Sequence, residues 1–513
     1  MKKIIITACF ASFLFSCTKK FEEINTNPIA IAKVTPAEFP YLFSTALVKS
    51  TFASEDYQVA HSLFSDQYAQ YFANTTSYFN SDRFVMRMDW LSNMWRGIYV
   101  RTVPQLQVIM EKANNNSPEY ALASVWWVYT FHRLTDHIGP IPYFKVGENS
   151  LSIPYDAQDK IYDDFFKRLA DASTILKANA GKNVFGNFDY VYAGDINKWL
   201  KLSNSLRLRL ALRISKVNPA RAKIEAEAAV AGGVLENFAD IALVKRSLDY
   251  DYANGLAMQT SWNEFRMSAA MESVLNGYQD PRTSSFFTPT VNSGTQYRGI
   301  RNGLTASQIT NNAINKVDNL SNVGFRWNEK NNQNSYATPQ NIMAAAELYF
   351  LRAEGSVNGW NMGGTAKALY DMGITKSLEQ WGITDMAVVN NYINSVATPV
   401  ALNDLLLSPA LSNIPVAFNN SNVTIQREQI ATQKWLALFP DGMEAWAEYR
   451  RTRLPKLYPV PNSDNPDITP GSVIRRIPFL DEDKRTNQAA VTAAEALLGG
   501  PDKLTTALWW DKN

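Results

Sequence analysis

The chain has 513 residues, of which 12% are aromatic, and its formal net charge is +2. So small a charge argues against nucleic acid and against a purely electrostatic hold on a membrane surface, because both favour strongly basic proteins. After the start of the chain, no run of about 18 apolar residues occurs, so no transmembrane helix is predicted.

Residues 1–16 are predicted to be a lipoprotein signal peptide. Two lysines precede an apolar run over 4–15, which is too short to span a bilayer. The run is followed by Ser16-Cys17, which resembles the lipobox of bacterial lipoproteins, although Phe15 is bulkier than the residue usual there. We expect cleavage before Cys17 and acylation of that residue, which anchors the chain in a membrane. An ordinary secreted protein with a chance cysteine is the alternative.

Cysteine usage agrees with an anchor. The two cysteines are Cys9, which leaves with the signal peptide, and Cys17, which carries the lipid. The mature chain then has no disulfide, no thiol nucleophile and no cysteine-ligated metal. Residues 17–36 are polar and predict a lipidated tether. The acidic pair Glu22-Glu23 resembles a signal that sends lipoproteins to the outer face, and a plain solvated linker explains it equally well.

A mostly α-helical body is predicted for residues 37–513. Apolar residues recur at near-helical spacing over 53–72, 94–113, 118–137, 159–176, 196–217, 219–231, 339–358, 365–381 and 426–453. Pro104 is expected to kink or split its helix, and Pro440 to break the last one. Neighbouring pairs joined by short turns predict TPR-like helical hairpins, which bury a face by stacking on one another in one large domain.

Three stretches lack this pattern and are predicted to be irregular loop insertions. They are rich in Asn, Ser, Gly, Pro and aromatic residues, and they lie near 74–92, 233–338 and 454–486. Loops of this length in a compact domain are usually functional. We therefore expect them to carry the ligand surface.

Several motifs, in order along nearly the whole chain, carry a family resemblance. They are 17–28, 131–143, 198–213, Asp280-Pro281-Arg282, 347–354, 433–451 and Trp509-Trp510-Asp511. Together they resemble the SusD/RagB family of nutrient-binding outer-membrane lipoproteins, and most closely its SusD-like subgroup. The most specific of them is 433–451, which runs from Gln-Lys-Trp through Asp-Gly to Glu-Ala-Trp-Ala-Glu-Tyr-Arg-Arg.

The resemblance implies a function and a location. Such a protein is lipid-anchored in the cell outer membrane, faces the exterior, and acts as a lid over a SusC-like TonB-dependent transporter. It captures an oligosaccharide, or in some branches a peptide, and delivers it for import. No catalysis and no cofactor are implied.

The charged motifs are interpreted as structural. Arg207, Arg209 and Arg213 lie on one predicted helix, and Glu347 and Glu354 share a face of another. Arginine–carboxylate pairs between packed helices would satisfy both partners. Asp280 and Arg282 likewise predict a local clasp, and Gly442 a turn between two helices.

Nothing in the sequence predicts a catalytic or metal site. His132 and His137 are five residues apart, which does not place them on one helical face, and HExxH, GxSxG and Walker motifs do not occur. A surface hydrolase that uses two carboxylates, and an adhesive surface protein with no small ligand, remain as alternative hypotheses.

Aromatic residues in polar loops are the candidate ligand surface. Flat rings pack on the apolar faces of sugars, and neighbouring polar groups bind the hydroxyls. Trp327 lies in a further polar segment. The residues predicted to contact ligand are Tyr78, Phe79, Trp90, Trp262 and Arg266.

Overall fold

The computed structural model of the chain describes residues 34–513 apart from 149, 151 and 331. The predicted signal peptide 1–16, Cys17 and nearly all of the predicted tether lie outside the described residues. Within the described ranges, no helix combines the length and the apolar character needed to cross a membrane.

The protein is built mainly from α-helices. Those of eight residues or more in the described ranges are α1 (Phe39–Lys49), α2 (Met88–Tyr99), α3 (Val103–Lys112), α4 (Pro118–Ile138), α5 (Gln158–Ala178), α6 (Ile196–Arg213), α7 (Pro219–Ala231), α8 (Ala269–Tyr278), α9 (Ala345–Val357), α10 (Ala366–Gln380), α11 (Met386–Ile393), α12 (Val423–Leu438), α13 (Gly442–Thr452) and α14 (Gln488–Leu498).

Consecutive helices pack against each other from α3 to α7, and α9 packs against α10 in the same way. Helix α9 also contacts α6 and α12, which joins the two groups. One apolar cluster runs through them, from Phe39 in α1 to Trp510. This arrangement confirms the predicted mostly α fold with TPR-like helical hairpins.

Local chemistry sets the helix ends. The Ser117 side chain accepts a hydrogen bond from Tyr120 N at 3.3 Å, and Pro118 occupies the first turn of α4. Gly139, with φ of +100°, ends that helix. In α6, Leu202, Leu206 and Leu210 recur every four residues and are fully buried.

Two antiparallel strand pairs fasten the irregular segments to the helical body. They join β1 (Phe72–Asn74) to β3 (Phe265–Met267), and β2 (Ala242–Val244) to β4 (Gln340–Met343). Phe72 lies opposite Met267 and Asn74 opposite Phe265 in the first pair. Each pair therefore connects regions far apart in the chain.

The predicted ion pairs between helices are present and buried. Arg209 of α6 donates two hydrogen bonds of 2.7 Å to Glu347 of α9. Arg213 donates to Glu448 at 3.0 Å and also to Glu444, both in α13. Arg207 instead pairs with Glu225 at 2.6 Å, across the α6–α7 hairpin.

The Asp280–Arg282 clasp is also confirmed. Arg282 donates to the two carboxylate oxygens of Asp280 at 2.9 and 2.6 Å, and both side chains are fully buried. The same guanidinium reaches Ser377 of α10 and Gln433 of α12, at 2.7 and 3.0 Å. This turn therefore fixes α10 and α12 relative to each other.

The predicted helix over 53–72 is wrong. The chain there forms a π-helical turn at Gln58–Ser62 and a short α-helix at Ser65–Tyr68. Ser54 and Gln70 have φ of +57° and +53°, values that interrupt a right-handed helix. The predicted helix over 339–358 begins later, because 340–343 pair as a strand.

The predicted helix over 94–113 is split into α2 and α3, and Pro104 lies in the first turn of α3. The insertion over 233–338 also contains a regular helix, α8, that the sequence pattern did not indicate. A short helix, Asp481–Thr486, ends the irregular region near 454–486.

Candidate functional site

The β1–β3 pair brings two of the predicted loop insertions together. Residues 75–80 leave β1 at the point where residues 260–264 enter β3. Thr75 N donates to Glu264 O at 3.0 Å, and Thr75 Oγ1 donates to Asn263 O at 2.6 Å. Side chains from the two insertions therefore share one surface.

Tyr78 is the most exposed of the predicted ligand residues, with 66% of its surface accessible. Its hydroxyl donates to Glu264 Oε1 at 3.0 Å, and Gln58 Nε2 donates to the other carboxylate oxygen. Burial raises the pKa of Glu264 above its ordinary value, against the effect of these hydrogen bonds. The carboxylate thus holds the phenol in place.

Phe79 and Trp90 lie behind Tyr78. Phe79 is buried, and its ring meets Tyr78 at a centroid distance of 4.6 Å and Trp90 at 5.9 Å. Trp90 is partly buried, and the Arg87 guanidinium lies 4.2 Å from its ring centroid. Phe79 supports the exposed ring of Tyr78, and Trp90 remains partly accessible.

Trp262 and Arg266 differ in their exposure to solvent. Trp262 ends a 3-10 turn and is 36% exposed. Arg266 is buried, and it donates to Phe265 O at 2.8 Å and to Asn263 Oδ1 at 2.5 Å. Burial lowers the pKa of Arg266 to about 10. Arg266 therefore fixes the turn that presents Trp262, and its direct contact with ligand stays a prediction.

Sequence reasoning missed Phe325, which is 63% exposed in the turn Phe325–Trp327. Thr260 Oγ1, in the turn that carries Trp262, donates to Trp327 O at 3.3 Å. Trp327 itself is buried against Trp381, with ring centroids 5.7 Å apart. Phe325 and Trp327 lie in the same 3-10 turn. The amino-acid composition of this turn does not indicate which of the two rings is exposed.

No cluster of acidic, histidine or cysteine side chains forms a candidate metal site among the described residues. Between residues 34 and 513, no group of three or more histidine, cysteine, aspartate or glutamate side chains is placed to hold an ion. His132 and His137 are buried in α4. Burial, reinforced by nearby arginine charges, lowers the pKa of each well below its ordinary value, so both are neutral packing groups.

The candidate site thus consists of exposed rings on neighbouring segments: Tyr78, which binds the Glu264 carboxylate and packs on Phe79, and Trp262 and Phe325. Exposed rings of this kind suit a ligand that presents alternating apolar faces and hydroxyl groups.

A family model described as SusD-like, for SusD and RagB outer-membrane lipoproteins, matches residues 23–511. The chain belongs to the SusD-like family. Its members are surface nutrient-binding proteins rather than enzymes, and they are outer-membrane lipoproteins.

Solved SusD-like structures agree over almost the full length. A chitin-binding SusD homologue from Flavobacterium johnsoniae is 35% identical, with a TM-score of 0.85 over 93% of this chain and 99% of that chain. A SusD homologue from Bacteroides uniformis is 32% identical, with a TM-score of 0.82 over 93% of this chain and 99% of that one. A further chitin-binding protein is 28% identical, with a TM-score of 0.76 over 93% and 100% of the two chains. None of the curated proteins matches the chain.

Proposed function

We propose that this protein is a surface lipoprotein that captures an oligosaccharide on the surface formed by Tyr78, Trp262 and Phe325. It delivers this ligand to a SusC-like TonB-dependent transporter, over which it acts as a lid, and it breaks no bond in the ligand. The observation that supports the proposal is the pairing of β1 with β3, which brings together the two distant segments that carry the exposed residues Tyr78 and Trp262.

Two features favour a sugar over a peptide. The exposed rings are flat, and the carboxylate that contacts Tyr78, Glu264, is already engaged by Tyr78 and Gln58. A glycan needs stacking platforms and hydrogen-bond acceptors more than it needs charges. Because two of the similar structures are chitin-binding proteins, chitin oligosaccharides are the first ligands to test. An oligopeptide is the alternative ligand.

Binding is tested by titration calorimetry with the full-length protein in detergent. Chitohexaose, cellohexaose and a mixed peptide library serve as ligands. We expect Tyr78→Ala and Trp262→Ala each to weaken glycan binding about tenfold, the effect of one stacking ring. Phe238→Ala is the matched control, because Phe238 is 54% exposed in a 3-10 turn that contacts α10.

Three results contradict the proposal. Unchanged affinity in both ring variants would show that this surface does not bind the ligand. Binding of peptides in preference to glycans would show that the ligand is a peptide. Release of shortened sugars during prolonged incubation, dependent on one carboxylate of the chain, would make the protein a hydrolase.

The anchor and the partner are tested separately from the ligand. We expect Cys17→Ala to release the protein from outer membranes, and continued attachment would contradict lipidation at that residue. Solubilisation in mild detergent is expected to recover a complex with a large transporter barrel. Recovery of the protein alone would contradict the role of a lid.

A further inference from the structure

A small cavity lies where the three insertions near 74–92, 233–338 and 454–486 meet. Its volume is about 50 Å³, which is room for an ion with a few water molecules, since one water needs roughly 10–15 Å³. The residues that line it are 67, 68, 70, 82, 84, 302, 446, 449, 457–460 and 471–474. Four of these residues carry the side-chain oxygens described below.

Asp82 carries a negative charge at this cavity. It is 2% exposed, and its Oδ2 accepts a hydrogen bond from Gly303 N at 2.8 Å. Its Oδ1 is buried and accepts no hydrogen bond from any residue that the structure describes. Burial raises the pKa of Asp82 to about 6, against the effect of the Gly303 hydrogen bond. A positive group beside Oδ1 would therefore stabilise the carboxylate.

Arg83 does not supply this positive group alone. Its Nη1 lies 3.7 Å from Asp82 Oδ1, which is too far for a hydrogen bond. The same Nη1 donates to Leu304 O at 2.7 Å, and Nε donates to Asp464 at 2.8 Å. One guanidinium is thus shared by two carboxylates, and this group of three side chains has a net charge of −1.

Gln67 has a second buried oxygen without a partner. It is 3% exposed, and its Nε2 donates to Ser62 O at 3.0 Å. Its Oε1 accepts no hydrogen bond within the described ranges. The reverse orientation of the amide would place two oxygens against each other at Ser62, so the unpaired atom is the oxygen.

Tyr68 and Asn302 supply further oxygens. Tyr68 Oη donates its one proton to Ser81 O at 3.1 Å, so only its lone pairs remain for another partner. Burial and the charge of Asp82 raise the pKa of Tyr68, and the hydroxyl keeps this proton. Asn302 Nδ2 donates to two backbone carbonyls, at 3.3 and 2.8 Å, which leaves Oδ1 as its acceptor. The polar side chains at the cavity thus present acceptors rather than donors.

We infer that this cavity binds a hard monovalent cation, Na⁺ or K⁺, with the Asp82 carboxylate and the Gln67 amide oxygen as ligands. Hard cations bind carboxylate, amide and water oxygens. A single positive charge neutralises the net charge of −1 that Asp82, Arg83 and Asp464 share. With one carboxylate, the site differs from the acidic clusters that hold divalent ions.

The position of the cation gives it a role in the candidate site. Asp82 lies four residues after Tyr78, and Arg83 Nη2 donates to Phe79 O at 3.4 Å. An ion that joins Asp82 to Gln67 would therefore fix the segment that carries Tyr78. This inference is independent of the ligand class, and its test requires no glycan.

The first test measures stability against the ion. Thermal denaturation of the full-length protein in detergent is compared in NaCl, KCl and N-methylglucamine chloride at equal ionic strength, after removal of divalent ions with EDTA. The organic cation is too large for the cavity. We expect NaCl or KCl to raise the melting temperature by roughly 2–4 °C, because a ligand that binds only the folded state stabilises it.

Two variants remove one ligand each. We expect Asp82→Asn and Gln67→Met to lose most of the rise in melting temperature. Gln67→Met keeps the charge and nearly the volume of the site, so it tests the inference even if Asp82→Asn fails to fold. Asp171→Asn is the matched control, since Asp171 is exposed on α5 and pairs with Lys167, and it should keep the whole rise.

Hydrogen exchange locates the effect. We expect Na⁺ or K⁺ to slow amide exchange in residues 78–84 and 302–304 of the wild type and to leave α7 unchanged. The same salts should have no such effect in Gln67→Met.

Three results would overturn the inference. Equal melting temperatures in NaCl and N-methylglucamine chloride would show that the cavity holds water only. A full ion effect in both variants would show that the ion binds elsewhere. Stabilisation by a much lower concentration of CaCl₂ than of NaCl, measured without EDTA and lost in Asp82→Asn, would show that the ion is divalent.

Discussion

Tyr78 Oη donates a hydrogen bond of 3.0 Å to Glu264 Oε1 and so joins two loops that are 186 residues apart in the chain. An exposed tyrosine normally samples several rotamers, and fixing it in one of them costs conformational entropy when a ligand binds. Here a partly buried carboxylate has already fixed the ring, which reduces the cost of binding.

Removal of this carboxylate is expected to weaken binding without removing any ring. In Glu264→Ala, Tyr78 becomes free to rotate, and we expect glycan affinity to fall about threefold to tenfold, the cost of ordering one side chain. Calorimetry measures the affinity, and circular dichroism checks that the fold is retained. Asp171→Ala is the control, since Asp171 is exposed on α5 and pairs with the exposed Lys167. Equal affinities in wild type and Glu264→Ala would contradict preorganisation.

We expect the Arg451–Glu354 ion pair to make the largest contribution to the stability of the contact between α13 and α9. Glu354 accepts two hydrogen bonds from Arg451, at 2.6 and 2.7 Å. Burial alone would raise the pKa of Glu354, but the charges of Arg451 and Lys434 lower it to about 2. We expect Glu354→Gln to reduce the free energy of unfolding by about 3 kcal/mol, because it leaves cations buried with less compensation.

Urea denaturation at neutral pH measures this loss. Asp171→Asn, which breaks an exposed pair with Lys167, is the control and should change stability by less than about 0.5 kcal/mol. The ordinary pKa of glutamate, 4.5, lies above the folded value, so the wild type also loses this stabilisation as the pH falls from 4.5 towards 2. A variant as stable as the wild type would show that the pair is not needed.

Gly442 is expected to be intolerant of any side chain. We predicted a turn there, but Gly442 is the first residue of α13, and a Cβ would lie 2.6 Å from the Cα of Asp66. Gly442→Ala should therefore destabilise the protein by about 3 kcal/mol, the cost of forcing an atom into a packed interior. Gly359→Ala is the comparison, because its φ is +77° and no atom lies within 4 Å of its Cβ position.

The Gly359 variant should lose only about 1 kcal/mol from backbone strain. Thermal denaturation of the two variants distinguishes packing from strain. Similar melting temperatures would contradict the close approach of α13 to Asp66.

Glu272 is expected to make stability depend on pH near neutrality. It is buried in α8 and accepts a hydrogen bond from Gly299 N at 2.7 Å. Burial raises its pKa from 4.5 to about 7. Between these values the folded state holds a proton that the unfolded state releases, so this contribution to stability is lost as the pH rises from 4.5 to 7.

Each pH unit of this window contributes up to about 1.4 kcal/mol. The free energy of unfolding of Glu272→Gln, relative to wild type, should therefore rise by about 2–3 kcal/mol between pH 5 and pH 8. Buried histidines such as His132 titrate over the same range on unfolding, but they cancel in the difference between the two proteins. A difference that does not change with pH would show that Glu272 is ionised throughout.

Helices were predictable where their own residues determine them. Ser117 and Pro118 start α4, and the leucines of α6 recur every four residues, so local chemistry and burial point to the same structure. The stretch over 53–72 is equally apolar, but contacts with distant residues decide its shape. Ser54 N donates to Ala253 O, and Gly255 packs closely against Ser54 and Tyr57.

The candidate site was predictable only in part. Loop composition drew attention to Tyr78 and Trp262, which are exposed, and also to Phe79 and Arg266, which are buried. Phe325 escaped notice because exposure depends on tertiary contacts. The β1–β3 pairing, which creates the surface, joins residues too far apart for any local pattern to indicate.

Trp510 is fully buried and donates to Asp136 Oδ1 at 2.8 Å, while Asp511 binds Arg475 at 2.7 Å. Helix α4, which carries Asp136, is made early in synthesis, and its partner is made some 370 residues later. The interior around Arg213 and Arg450 therefore cannot close until residue 510 has left the ribosome. The early helices therefore reach their final packing only after residue 510 has been made, and until then Asp136 lacks this partner.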